Sequence, residues 1–145
     1  MCAAINGGEG MAVDDIWETI TEHLTNDDLL SVGTRPSQDG SDTVKLASGM
    51  YMSHAYTVLK RKLLPDGTRV VVLRNPHGKD SFWGAENVDN YDEDAWTKKL
   101  VAAGIPEAAN KDDGIIFTPV EQFAQDISEL HANYNSSTMK FDYFL

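Results

Sequence analysis

The chain has 145 residues, 12 of them basic and 23 acidic, for a net charge of −11. That length suits one ordinary domain with its own core, and the charge argues against a nucleic-acid surface, which needs clustered Lys and Arg to neutralise phosphate. A single cysteine, Cys2, rules out an internal disulfide and any zinc site built on cysteines.

No apolar run approaches the roughly 20 residues needed to span a bilayer. The opening MCAAINGGEG has neither the basic start nor the apolar stretch of a signal peptide, so the expected compartment is the reducing cytoplasm. Gly7, Gly8 and Gly10 follow no predicted strand and lead to no Gly-Lys-Ser/Thr ending; they are read as a turn or domain entry, not a phosphate loop. Val13, Ile16, Trp17, Ile20 and Leu24 then recur at helical spacing, with Asp14 and Asp15 in the first turn where the helix dipole favours them. LLSVGT reads as a short strand and the polar RPSQDGSDT as a surface loop.

Residues 50–59 alternate as a strand, with Met50, Met52, His54, Tyr56 and Val58 on one face and Tyr51, Ser53, Ala55, Thr57 and Leu59 on the other. LPDGT is a reverse turn and RVVVLR a buried strand, so the three segments form an antiparallel hairpin. Pro76 ends the second strand. After a long loop, residues 92–104 predict a helix with Ala95, Trp96, Leu100 and Ala103 inward and Gly104 as its stop. GIIFTP is a strand, PVEQFAQDI a helix entered through Pro119, and SELHANY a last strand. Residues 1–134 are expected to form one unit, and 135–145 a tail or the start of a following domain, since its apolar end, Tyr143, Phe144 and Leu145, is unlike an ordinary loose terminus.

The hairpin brings His54 and Asn75 toward each other. With the turn centred on Asp66 and Gly67, His54 pairs with about position 79, so Asn75 is a few residues off register and a twist or bulge could close the gap. A catalytic imidazole needs an acceptor on one nitrogen, to fix its tautomer and direction, while the other takes a proton from a nucleophile. An asparagine carbonyl serves without adding charge, as in Cys-His-Asn proteases. The commoner role for a lone strand histidine is packing or solvent contact. His54 and His77 lack the spacing of a metal pair. Trp17, Trp83 and Trp96 read from the residues alone as core or loop anchors. The sequon at Asn135 is idle in a cytosolic chain.

The wording around the pair is more specific. SHAYTVL, then VVVLRNPHG, then FWG resembles the calpain family of cysteine proteases. His54, Ala55 and Tyr56 match its Gly-His-Ala-Tyr strand, and Arg74, Asn75, Pro76 and Gly78 its Arg-Asn-Pro-Trp-Gly motif. DDGIIFTPVEQFAQDI resembles the family's Asp-Gly-Glu-Phe-Trp-Met stretch with its following helix, and INGGEG the glycine-rich start of the second catalytic subdomain. The resemblance implies an α+β fold: an antiparallel sheet, expected as a partly closed barrel, with flanking helices.

It also implies half of an active site. His54 and Asn75 would be catalytic, His77 and Trp83 would line the cleft, and the cysteine would come from a partner subdomain, because Cys2 lacks the Gln…Cys-Trp context. A protein substrate is implied, and the chain alone is expected to be inactive. Three residues depart from the pattern. Ser53 stands where the family has glycine, His77 where it has a tryptophan that shields the His–Asn bond, and Ile115 where it has an acidic calcium ligand. No cofactor is therefore expected; Asp80, Glu86, Asp89, Asp92 and Asp113 are a solvated acidic set first and a calcium site second. The alternative is a calpain-like pseudoenzyme or protein-interaction module.

Overall fold

The structure is a computed structural model that describes residues 2–6, 12–40, 44–76, 93–109 and 113–133. Among the described residues six strands form one antiparallel sheet: β1 (Cys2–Asn6), β2 (Leu29–Thr34), β3 (Ala55–Leu63), β4 (Arg69–Arg74), β5 (Ile115–Pro119) and β6 (Ile127–Asn133). Their order is β1-β6-β2-β3-β4-β5. The α+β expectation of an antiparallel sheet with flanking helices holds, and among the described residues the sheet is not closed: β1 and β5 are edges that do not pair with each other.

Helices α1 (Val13–Thr25) and α3 (Val120–Asp126) cover one face. Ile16 and Ile20 of α1 and Val120 and Phe123 of α3 meet Leu30, Val32, Tyr56, Val58, Val71 and Leu73 from the sheet in a single core. This is the apolar stripe visible in the sequence at helical spacing. Trp17, at the edge of the stripe, lies beneath the Arg61 and Arg69 guanidiniums at 5.0 and 5.8 Å. Past the helix, Asp27 takes φ +57 and turns the chain, and the buried His23 Nδ1 stands 2.8 Å from Asp28 Oδ2.

Helix α2 (Glu93–Ala102) and a 3₁₀ turn (Pro106–Ala109) cover the opposite face over β4 and β5. There Trp96 and Leu100 pack with Val70, Val72 and Phe117, and the Trp96 indole N–H donates to the Phe117 carbonyl at 2.9 Å. Strand β4 is thus buried on both faces, which is why RVVVLR is a continuous apolar run and not an alternating one. Trp96 and Leu100, one turn apart, face inward as expected, whereas Ala95, also expected inward, is exposed. Gly104 takes φ +92 just beyond α2, as its placement predicted.

The hairpin is present and its register is set by one irregularity. From the turn, where Gly67 has φ +89, Leu63 pairs with Arg69 and Lys60 with Val72. A bulge between Val58 and Lys60 then shifts the pairing so that Thr57 faces Arg74. Strand β3 starts at Ala55, not at Met50 as the alternation predicted. The stretch before it is a turn, because Ser53 takes φ +54, a conformation no strand residue adopts. Strand β1 was not anticipated in the glycine-rich opening; it pairs along its whole length with β6. The tail, residues 135–145, lies outside the described residues.

Candidate active site

Asn75 follows the last residue of β4 and is 1% exposed. Its N–H donates to the Gly114 carbonyl at 2.8 Å, which carries the β4–β5 ladder one step past Arg74 and Ile115. Pro76, without an N–H, cannot continue it. The side chain is held at the rim of a strand in which Val70, Val71, Val72 and Leu73 are fully buried.

His54 precedes β3 and is half-buried. Its Nε2 lies 3.2 Å from Asn75 Oδ1, hydrogen-bond distance for an imidazole N–H and an amide carbonyl. The bulge in β3 supplies part of the register correction that the sequence required. The His54 ring stands edge-on to the Tyr56 ring, with centroids 5.0 Å apart and planes at 83°. The Tyr56 hydroxyl accepts the Tyr51 N–H at 2.8 Å, so the tyrosine ties the ring's packing partner to the turn before it.

That turn is dense in polar contacts. The Ser53 N–H donates to the Arg35 carbonyl at 3.0 Å, and Ser53 Oγ accepts the Ser37 N–H at 2.9 Å. These bonds hold a serine at φ +54, where the resembling motif has glycine; the departure is accommodated by its hydroxyl. Deeper, the buried Asp126 carboxylate accepts from Arg35 Nη2 at 3.1 Å, from the Ser48 N–H at 2.9 Å and from Gln122 Nε2 at 3.2 Å. Its backbone carbonyl accepts the Arg35 N–H. Asp126 thereby fastens the start and the middle of the loop that leads to His54. Neither Asp126 nor Thr34, which bonds the turn directly, stood out in the sequence. Both look like ordinary helix-end and strand-end residues until the loop folds over them.

Among the sequence-predicted residues, the structure brings His54 and Asn75 together. His77 and Trp83 lie outside the described residues, as do Asp80, Glu86, Asp89 and Asp92. Asp113 Oδ1 accepts the Ile115 N–H at 2.9 Å and shapes the turn into β5. Among the described residues no three His, Cys, Asp or Glu side chains are grouped to hold a metal, and no helix is long and apolar enough to cross a membrane. Cys2 is remote from His54: β6 and β2 separate its strand from β3. Cys2 also pairs with Asn133, which pairs with Leu29, at the opposite end of β2 from Thr34. Three strand spacings and five residues of strand correspond to roughly 14 Å across and 16 Å along the sheet. A cavity of about 480 Å³ between the end of α1 and β3, lined by Asp28, Leu29, Leu59 and Lys60, is at that far end too, away from the pair.

An antiparallel sheet that sets a histidine against an asparagine at the ends of adjacent strands is the arrangement with which thiol proteases of the Cys-His-Asn type orient their imidazole. The chain belongs to the calpain family of cysteine proteases, whose sequence pattern matches residues 3–133. It is 31% identical over 90 residues to the calpain-type cysteine protease DEK1 of Arabidopsis thaliana. That match covers 62% of this chain and 4% of the relative, so the chain corresponds to a small part of that protein.

Proposed function

We propose that this chain is the histidine–asparagine half of a calpain-type cysteine endopeptidase, acting in the cytoplasm on protein substrates. The observation that carries the reading is the 3.2 Å contact between His54 Nε2 and Asn75 Oδ1. With Nε2–H donated to the amide oxygen, Nδ1 is the nitrogen that takes a proton from a cysteine thiol. The thiolate attacks the peptide carbonyl, and the imidazolium returns its proton to the leaving amine. Asn75 holds the ring through both steps without adding charge. His77 and Trp83 are assigned to the walls of the cleft.

The nucleophile belongs to a partner subdomain in this reading, which the distance of Cys2 from His54 supports. The chain alone is then expected to hydrolyse nothing. The reading includes no metal: Ile115 offers no oxygen where the family has an acidic ligand, and calcium takes six to eight oxygens. Calorimetry at millimolar calcium is expected to show no binding.

The test joins the chain to a cysteine-bearing calpain-type subdomain and follows reaction with a thiol-directed peptidase inhibitor. Labelling is expected, and His54→Ala is expected to abolish it. A joined, folded protein that labels equally well with alanine at that position would make the chain an interaction module instead.

A further inference from the structure

We infer that Thr34 is the positioning residue for His54. The inference rests on the reading of His54 and Asn75 as a working pair, and it concerns what aims the imidazole from behind.

Thr34 ends β2 and is buried, its side chain on the inward face with Leu30 and Val32. Four polar contacts link it to the turn. Its Oγ1 accepts the His54 N–H at 2.9 Å, and its own N–H donates to the His54 carbonyl at 2.9 Å. The hydroxyl proton goes to the Tyr51 carbonyl at 2.6 Å, with the His54 carbonyl a longer alternative at 3.1 Å. One residue therefore grips both backbone polar groups of the histidine and the residue three positions before it.

The turn needs such a grip. Ser53 at φ +54 is a conformation that costs an L-residue on the order of 1–2 kcal/mol. It persists only where its surroundings over-determine it. The bonds to Arg35 and Ser37 hold Ser53 itself, whereas Thr34 fixes the next Cα, from which the imidazole projects. A rotation of the His54 backbone would swing Nε2 away from Asn75, which is locked at the rim of β4 and cannot follow. The β-branched side chain adds to this, since a threonine in a strand has few χ1 choices and its hydroxyl keeps one direction. The neighbouring strand contributes at the same point. A register shift in the pairing with β6 falls between Gly33 and Thr34, and Ser128 Oγ caps the Gly33 and Thr34 carbonyls at 3.3 and 3.2 Å.

The test is nitrogen NMR of the His54 imidazole in this chain, with Thr34→Val, Thr34→Ser, Ser128→Ala and Asn75→Ala. Valine keeps the shape and removes the hydroxyl; serine keeps the hydroxyl. Asn75→Ala is expected to shift the ratio of the Nε2–H to the Nδ1–H tautomer. Thr34→Val should shift it in the same direction by about threefold or more, as expected when one hydrogen bond loses part of its net strength. Thr34→Ser should stay near wild type, and so should Ser128→Ala, which disturbs the strand end without touching His54. If Asn75→Ala shifts the ratio and Thr34→Val does not, the positioning role is wrong and the pair stands. If Asn75→Ala changes nothing, the pair itself fails and takes this inference with it. Should Thr34→Val not fold, amide exchange in the wild type decides: protection of the His54 amide supports the grip, and exchange at open-chain speed while β2 is protected overturns it.

Discussion

His54 and Asn75 share one hydrogen bond but are held by opposite kinds of structure. Asn75 caps a strand buried on both faces, between the α1–α3 core and the α2 core. Apolar packing fixes its backbone, and the 2.8 Å bond to Gly114 extends the ladder to it. His54 follows a turn in an unfavourable conformation, held by Thr34, Arg35, Ser37 and, one layer down, Asp126. Packing against a close-packed core leaves little freedom to adjust, whereas a hydrogen-bonded turn can be altered one bond at a time. In this molecule the acceptor is the fixed reference and the imidazole is the adjustable part.

Deleting the apolar support should have the largest effect. Phe117→Ala, on β5 beside Val72 of β4, is expected to cost about 3–5 kcal/mol in denaturant unfolding; a loss below about 1 kcal/mol would mean that packing is not what anchors the Asn75 strand. The polar side should give less. Asp126→Ala strands the Ser48 N–H and the Gln122 amide and is expected to cost about 2–3 kcal/mol, as for bonds to a charged acceptor. Arg35→Ala, which removes a half-exposed partner of the same carboxylate, should cost below about 1 kcal/mol. Equal losses for the two would place the importance in the ion pair and not in the buried carboxylate.

A fourth substitution tests the core of the packed half. Thr118, opposite Val71 on β5, is fully buried, and its hydroxyl has no hydrogen-bond partner among the described residues. Thr118→Val keeps the shape and removes that group, so it should raise stability by up to about 1 kcal/mol. A loss instead would reveal a buried water or another partner for the hydroxyl.

The smallest effect belongs to the hairpin turn. The Lys99 ammonium at 2.9 Å, helped by the Thr68 hydroxyl and N–H, holds the Asp66 carboxyl well below the usual carboxylate range. A depressed native value means that the contribution is complete above the ordinary carboxylate pKa and fades as pH falls through and below it. Asp66→Asn should therefore lower the unfolding midpoint slightly at neutral pH, and the difference should shrink on acidification. A difference that grows in acid would reverse the assigned sign. Both side chains are solvent-exposed, which keeps the effect small.

Much of this fold was legible in advance because period and punctuation carry it. The stripe Val13, Ile16, Trp17, Ile20, Leu24 is α1, Gly104 stops α2, and Pro119 stands before α3. The meeting of His54 and Asn75 was legible as well, as a hairpin with a gap in register that a bulge could close. Other parts were not. Residues 50–54 read as a strand with Met50 and Tyr51 on opposite faces, yet both are buried because they lie in the turn that Ser53 completes. Strand β1 carries no large β-branched pattern in its CAAIN; it is a strand because β6 offers it an edge.

From the sequence alone came the inward stripe of α1, the hairpin and the identity of the pair, since these depend on residue type and short-range spacing. Tertiary structure alone decided that the sheet stays open, that Cys2 lies far from His54, and that Thr34 and Asp126 hold the turn. The hold on the turn depends on contacts between residues 17 to 91 positions apart, the longest between Arg35 and Asp126, and the place of Cys2 on its pairing with Asn133. A local pattern carries no information about which distant partner a hydroxyl or a carboxylate will meet, because that is fixed only when burial makes an unpaired polar group costly.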